Sequence, residues 1–183
     1  MIRIRHLKIR AIAPLNASTL SWVKRVKFGR LLSEHDFLQL KTWGHEALAH
    51  QDFDFDAITP LPSHPLRSLL QVDLAWEWAR CLELISETSL LCPGLRHRSL
   101  THAILRSPQK SLSLMERRAL YASPHREPRF QSPPAKVSRK VLLVDDVLSS
   151  GCSFLEACEA LESGGHQVAG GLVLAGGYCT KSL

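Results

Sequence analysis

The sequence predicts an α/β fold, a parallel β-sheet covered by helices on both faces. Two strand–helix–strand units follow one another along the chain, and strands joined through helices pair in parallel. Apolar segments of strand length, 53–61 and 140–145, are each followed by a segment of helical periodicity. Each of those strands also ends in polar, turn-forming residues, at the carboxyl edge where such sheets bind ligands.

Trp22 to about Leu48 has apolar residues at helical spacing broken near Gly29, which predicts two short helices. Phe53 to Leu61 is β-branched and aromatic and closes with Pro60-Leu61-Pro62, a buried strand entering a rigid loop. Leu66 to about Ile85 carries Leu69, Leu70, Leu74, Trp78 and Leu82 along one broad helical face. Ser89 to Cys92 is a short strand candidate ended by Pro93-Gly94. Leu95 to Lys110 is basic, lacks a clean period and predicts a surface loop. Ser111 to Tyr121 predicts a helix in which Ser113 and Glu116 have capping-box spacing. Ser123 to Lys140, with Pro124, Pro128, Pro133 and Pro134, is an irregular connector. Strand 140–145, a helix from Gly151 to Ser163, a Gly164-Gly165 stop and strand 167–175 complete the chain.

The 183 residues suffice for one normal core. The expected division is a basic, helical N-terminal appendage over 1–50 and an α/β domain over 51–183. The five cysteines are odd in number and form no CxxC pair, which argues for reduced thiols in a cytoplasm and against a disulfide framework or zinc site. No apolar run approaches the roughly 20 residues that span a bilayer, and no signal peptide is legible. The net charge of +6 is unevenly spread: residues 1–30 carry 8 Lys/Arg and no Asp/Glu, and 91–140 carry 11 and 2. Each basic block is either a solvated face or a surface for phosphates.

The candidate site is Val141 to Ser153, where an apolar run ends in Asp145-Asp146 and Ser149-Ser150-Gly151-Cys152-Ser153 opens a helix. A phosphate needs converging backbone N–H groups, which a tight turn at a helix start supplies with the positive end of the helix dipole. Ser149, Ser150 and Ser153 add hydroxyls, and Gly151 permits close approach. Carboxylates repel phosphate, so the acid pair suits ribose hydroxyls, or Mg²⁺ held through water. Together these residues form an address for a ribose 5-phosphate. A receiver domain also ends a strand in two aspartates, but only 38 residues follow Asp145, too few for the rest of that domain.

The segment resembles the phosphoribosyl-pyrophosphate (PRPP) signature of type I phosphoribosyltransferases. Two further blocks, Asp56-Ala-Ile-Thr-Pro-Leu-Pro-Ser-His-Pro-Leu-Arg67 and Pro108-Gln109-Lys-Ser-Leu112-Ser113-Leu-Met-Glu116-Arg117-Arg118, resemble the ComF family of competence-associated phosphoribosyltransferase-like proteins. A weaker similarity lies at Lys27-Phe28-Gly29. The resemblance implies a type I phosphoribosyltransferase-like sheet with a small helical or irregular hood. It implies that Asp145 and Asp146 contact ribose and Mg²⁺, that Ser149 to Ser153 hold the 5-phosphate, and that Ser63, His64 and Arg67 form the pyrophosphate loop. Gln109, Arg117 and Arg118 would then belong to the hood, facing an acceptor or DNA. Asp145, Asp146 and Arg67 would carry any catalysis. The family usually has a basic pair and Arg-Gly-Phe-Asn-Gln after the Pro-x-Pro-x-His-Pro block, whereas Leu66-Arg67 and Gln71-Val-Asp-Leu-Ala75 stand here. Leu120 stands where Asn is common, and no cysteine precedes Cys81, so the family's zinc module is absent.

Two functions remain open at this point. One is a bacterial pentosyl transferase that binds PRPP with Mg²⁺ and serves natural competence and DNA uptake. The other is a weak or inactive binding module that engages single-stranded DNA or competence proteins. His64 is either a phosphate-orienting group or a turn residue fixed by Pro65. Cys152 is either a thiol activated by the helix start or a packing residue. Trp22 and Phe28 are either core or a stacking platform for a base, and Asp52-Phe-Asp-Phe-Asp56 fits solvated acids at a strand entrance better than a calcium loop.

Overall fold

The computed structural model describes residues 2–4, 7–29, 31–49, 53–64, 71–91, 94–98, 113–123 and 128–176. Its elements in order are β1 (Ile2–Ile4), β2 (Leu7–Pro14), α1 (Ala17–Phe28), α2 (Glu34–Ala49), β3 (Ala57–Pro60), α3 (Leu74–Ser86), β4 (Arg96–His97), α4 (Leu114–Ala122), β5 (Phe130–Gln131), β6 (Lys140–Leu148), α5 (Cys152–Ser163) and β7 (Gln167–Gly176). Five strands form one sheet in the order β1-β2-β7-β6-β3. Strands β2, β7, β6 and β3 run parallel and β1 is antiparallel at the edge. Strands β4 and β5 pair as a separate two-stranded ribbon.

The period-2 alternation of β6 explains the layering. Val141 and Leu143 pack into one core with Phe154, Leu155, Cys158 and Leu161 of α5. Leu142 and Val144 pack into the other with Val23 and Val26 of α1, Leu40 of α2 and Leu74, Trp78 and Leu82 of α3. Both faces of the parallel sheet are thus covered, as its continuous apolar strands require. Close helix packing is set by Gly171, where an added Cβ would lie 2.6 Å from Phe154 Cε1. On the other face, buried Asp36 clamps α1 to α2 by accepting from Arg25 Nη2 at 2.6 Å, Trp22 Nε1 at 3.0 Å and Ser33 Oγ at 2.5 Å. The Arg25 guanidinium holds this carboxyl below its usual range, followed in effect by Ser33 and Trp22 against the opposing desolvation.

Several boundaries differ from the sequence expectation, among them β3, which spans Ala57–Pro60 where a strand over 53–61 was expected. No strand was expected before Phe53, yet β2 pairs with β7, so residues 7–14 belong to the sheet and not to a helical appendage. Helix α1 begins at Ala17, before Trp22, because Asn16 caps it by accepting the Thr19 N–H at 2.9 Å. Helix α3 begins at Leu74, and residues 66–70 of the expected helix lie outside the described residues. Asp73 caps it by accepting the Trp76 N–H at 3.3 Å, and the Val72 N–H is spent on Lys27 O at 3.2 Å. Strand β6 continues through the acid pair to Leu148, because β7 is long enough to keep pairing, with Asp145 opposite Val173 and Leu148 opposite Gly176. The expected helix at Ser111 is α4 from Leu114, with its capping box formed: Ser113 N–H donates to Glu116 Oε2 at 2.6 Å and Glu116 N–H to Ser113 Oγ at 3.2 Å. Leu90 makes one parallel bridge to Ile58, the remnant of the expected strand at 89–92.

Candidate functional site

The site lies at the carboxyl end of the parallel strands. The loop leaving β3 is held beside β6 by Leu61 N–H donating to Val144 O at 2.8 Å. This brings Ser63 and His64 next to the segment that carries Asp145 and Asp146. Ser63 Oγ donates to Asp73 Oδ1 at 2.8 Å, which ties that loop to the α3 cap.

The two aspartates differ. Asp146 is 7 % exposed and its Oδ2 forms an ion pair with Lys27 Nζ, delivered by the last turn of α1. Asp145 Oδ1 accepts the Asp146 N–H at 2.9 Å. Burial pushes the Asp145 carboxyl up to about 8, and the Asp146 and Asp73 charges push the same way, while Lys27 and the backbone N–H oppose them. With one lysine facing the pair, the two adjacent carboxyls do not both ionise at neutral pH, and Asp145 is the one that keeps its proton.

The turn after β6 places Gly151 at φ 76, a left-handed position that suits glycine, as the cap of α5 with no side chain closing it. The Cys152 N–H donates weakly to Ser150 Oγ at 3.4 Å. Two arginines flank this turn. Arg117 Nη1 donates to Ser149 Oγ at 3.3 Å and Arg129 Nη1 to Ser153 Oγ at 3.3 Å. Arg129 also sits 3.5 Å from Glu156 Oε2 through Nε and 5.1 Å over the Phe130 ring. The β4–β5 ribbon thus folds a cation onto the start of α5. On its other strand His97 is 2.9 Å from Ser63 O through Nε2, and burial lowers its pKa, helped by the Arg129 and His64 charges.

Of the residues singled out from sequence, Asp145, Asp146, Ser149, Ser150, Gly151, Cys152, Ser153, Ser63, His64 and Arg117 are gathered here. His64 Nδ1 is buried without a hydrogen-bond partner among the described residues. Cys152, the first residue of α5, is buried in the core and its Sγ lies 3.8 Å from Arg117 O, a packing position. Arg67, Gln109 and the Arg118 side chain lie outside the described residues. Sequence reasoning passed over Lys27, Asp73, His97, Arg129 and Glu156 as site residues. Only Lys27 carried a signal, the Lys-Phe-Gly triplet; Arg129 lay hidden in the proline-rich connector.

Other candidates resolve as structure. Trp22 is held by Asp36 and meets Trp43 edge-on with ring centroids 4.9 Å apart, so it is part of the α1–α2 packing. Phe28 is 69 % exposed. Asp54 and Asp56 at the entrance of β3 fasten Lys140, with Asp54 Oδ2 at 2.5 Å from Nζ and Asp56 Oδ1 accepting the backbone N–H at 3.0 Å. No helix of the described residues is long and apolar enough to cross a membrane.

A divalent cation fits the chemistry of the donor set. Asp145 and Asp146 supply hard oxygens, Asp73 adds negative charge, and a hydrated Mg²⁺ asks for no more than one or two carboxylates. Among the described residues no group of three or more His, Cys, Asp or Glu side chains converges on a point.

No protein-family model matches this chain, and no curated protein matches it.

Proposed function

We propose that this site binds the ribose 5-phosphate part of PRPP or a related ligand, with Mg²⁺, in a type I phosphoribosyltransferase-like fold. The observation that carries the reading is the acid pair of β6 followed at once by an open, glycine-capped turn with an arginine on each side. The backbone N–H groups at the start of α5, with Ser149 and Ser153, take the 5-phosphate. Arg117 and Arg129 neutralise its charge, each charge-assisted contact contributing roughly 1.5–3 kcal/mol. Asp145 and Asp146 accept from the ribose 2- and 3-hydroxyls. Asp145 is best placed to do so once a cation, supplied with the ligand and held by the same carboxylates, offsets the charge that keeps it protonated.

Transfer of the ribosyl group to an acceptor, with departure of pyrophosphate, is the enzymatic half of the reading, and a role in DNA uptake is its cellular half. Positive charge near Ser63 and His64 would stabilise the departing pyrophosphate. The binding-module alternative draws support from the loop composition after Pro65, where Arg67 stands as the one basic residue before Arg80.

Calorimetry with PRPP and ribose 5-phosphate, with and without Mg²⁺, tests the reading. Binding that survives undiminished in Asp145→Asn/Asp146→Asn removes the ribose assignment. Pyrophosphate release on addition of candidate bases then separates transfer from binding alone.

A further inference from the structure

Lys27 reaches the acid pair from outside the three sequence blocks, and the fold holds it from two sides. Its ammonium pairs with Asp146, whose side chain is only 10 % exposed, while its own side chain is 35 % exposed. Its carbonyl accepts the Val72 N–H at 3.2 Å, one residue before the Asp73 cap that also takes Ser63 Oγ. Two residues on, α1 is closed by the Gly29 N–H donating to Arg25 O and Val26 O, both at 3.1 Å. The lysine is therefore anchored through its backbone to the β3–α3 connection and through its head group to β6.

A unit positive charge seated against one of two adjacent carboxylates performs the electrostatic task that a bound divalent ion performs in such a site. Two cations cannot share that position without mutual repulsion. We propose that Lys27 is the built-in counter-cation of the acid pair, and that a divalent metal reaches Asp146 only by displacing the lysine ammonium. In the metal-free protein Lys27 fixes Asp146 for ligand recognition, and metal enters as a competitor of an internal group. This inference rests on the acid pair being the ligand-binding centre proposed above, but it concerns the pair's counter-charge and not the ligand.

The test is titration of the full chain with Mn²⁺ alone, followed by the electron paramagnetic resonance of free Mn²⁺, for the wild type, Lys27→Gln and Lys27→Arg. Gln keeps an N–H donor for Asp146 and removes only the charge; Arg keeps the charge. Mn²⁺ should bind Lys27→Gln roughly tenfold tighter or more than the wild type, a difference of ~1.4 kcal/mol or more, and Lys27→Arg no tighter. Equal or weaker binding to Lys27→Gln overturns the proposal. Should circular dichroism show that Lys27→Gln has not folded, the wild type supplies the answer: the carbamylation rate of Lys27, read by mass spectrometry, should rise at saturating Mn²⁺, and an unchanged rate overturns the proposal. Ribose 5-phosphate titration of the same proteins keeps the two readings apart, since its failure removes the ribose assignment while leaving the Mn²⁺ comparison to stand or fall alone.

Discussion

Asp145→Asn should stabilise the protein at neutral pH while weakening its ligand binding. An unfolded Asp titrates near 3.9, and burial with the adjacent Asp146 charge raises this one to about 8 in the folded chain. Between about pH 4 and pH 8 the native state therefore retains a proton that the unfolded chain releases, and stability falls as pH rises through that window. At pH 7 the proton is held against about three pH units, roughly 4 kcal/mol at ~1.4 kcal/mol per unit. The partial exposure of the side chain and screening by solvent reduce this to about 2 kcal/mol. Asparagine does not titrate and fits the same space, so the variant should exceed the wild type by about 2 kcal/mol at pH 7.5 and by less than about 1 kcal/mol at pH 5. Urea unfolding across that range, followed by fluorescence of the four tryptophans, reads the difference directly. Parallel stability curves for the two proteins would refute the claim that Asp145 carries a proton in the native state.

Arg129→Ala removes the guanidinium that bonds Ser153 and faces Glu156. Ribose 5-phosphate affinity should fall about tenfold or more, measured by calorimetry, and Arg129→Lys should recover part of it. Gly171→Ala places a Cβ 2.6 Å from Phe154 Cε1 and 3.2 Å from Ile9 Cγ1. Overpacking of this kind destabilises by about 1–3 kcal/mol, readable as a lower urea midpoint with the slope unchanged.

The layered architecture was legible because it rests on periodicity. Val141 to Val144 are apolar without interruption, as a strand covered on both faces must be, and the helical stripe of Leu74, Trp78 and Leu82 is the surface that covers one of them. Strand β2 was not legible. Leu7 to Pro14 alternates basic and apolar residues and contains alanines and a proline, a weak strand signal that becomes a strand only through pairing with β7. The cores of the acid pair and the turn were visible because adjacent chain residues compose them. Lys27 and Arg129 were not, because tertiary folding alone brings them to residues more than a hundred and about twenty-four positions away respectively. A charged residue in a local window looks like solvated surface until its partner is known.

The position of β7 between β2 and β6 has a consequence for synthesis. On the edges that face β7, Ile9 pairs with Gly171 and Val144 with Leu172, while Ile2 and Pro60 take their other edges. While the chain emerges from the ribosome, β1 and β2 are made early, and β2 keeps one unsatisfied edge until β7 appears and slides in beside it. Pairing across such a separation is slow and leaves exposed strand edges in the interim. Nascent chains released before residue 167 should thus be handed to chaperones or degraded. The candidate site, whose β6 floor also needs β7 beside it, is completed only after β7 has been made.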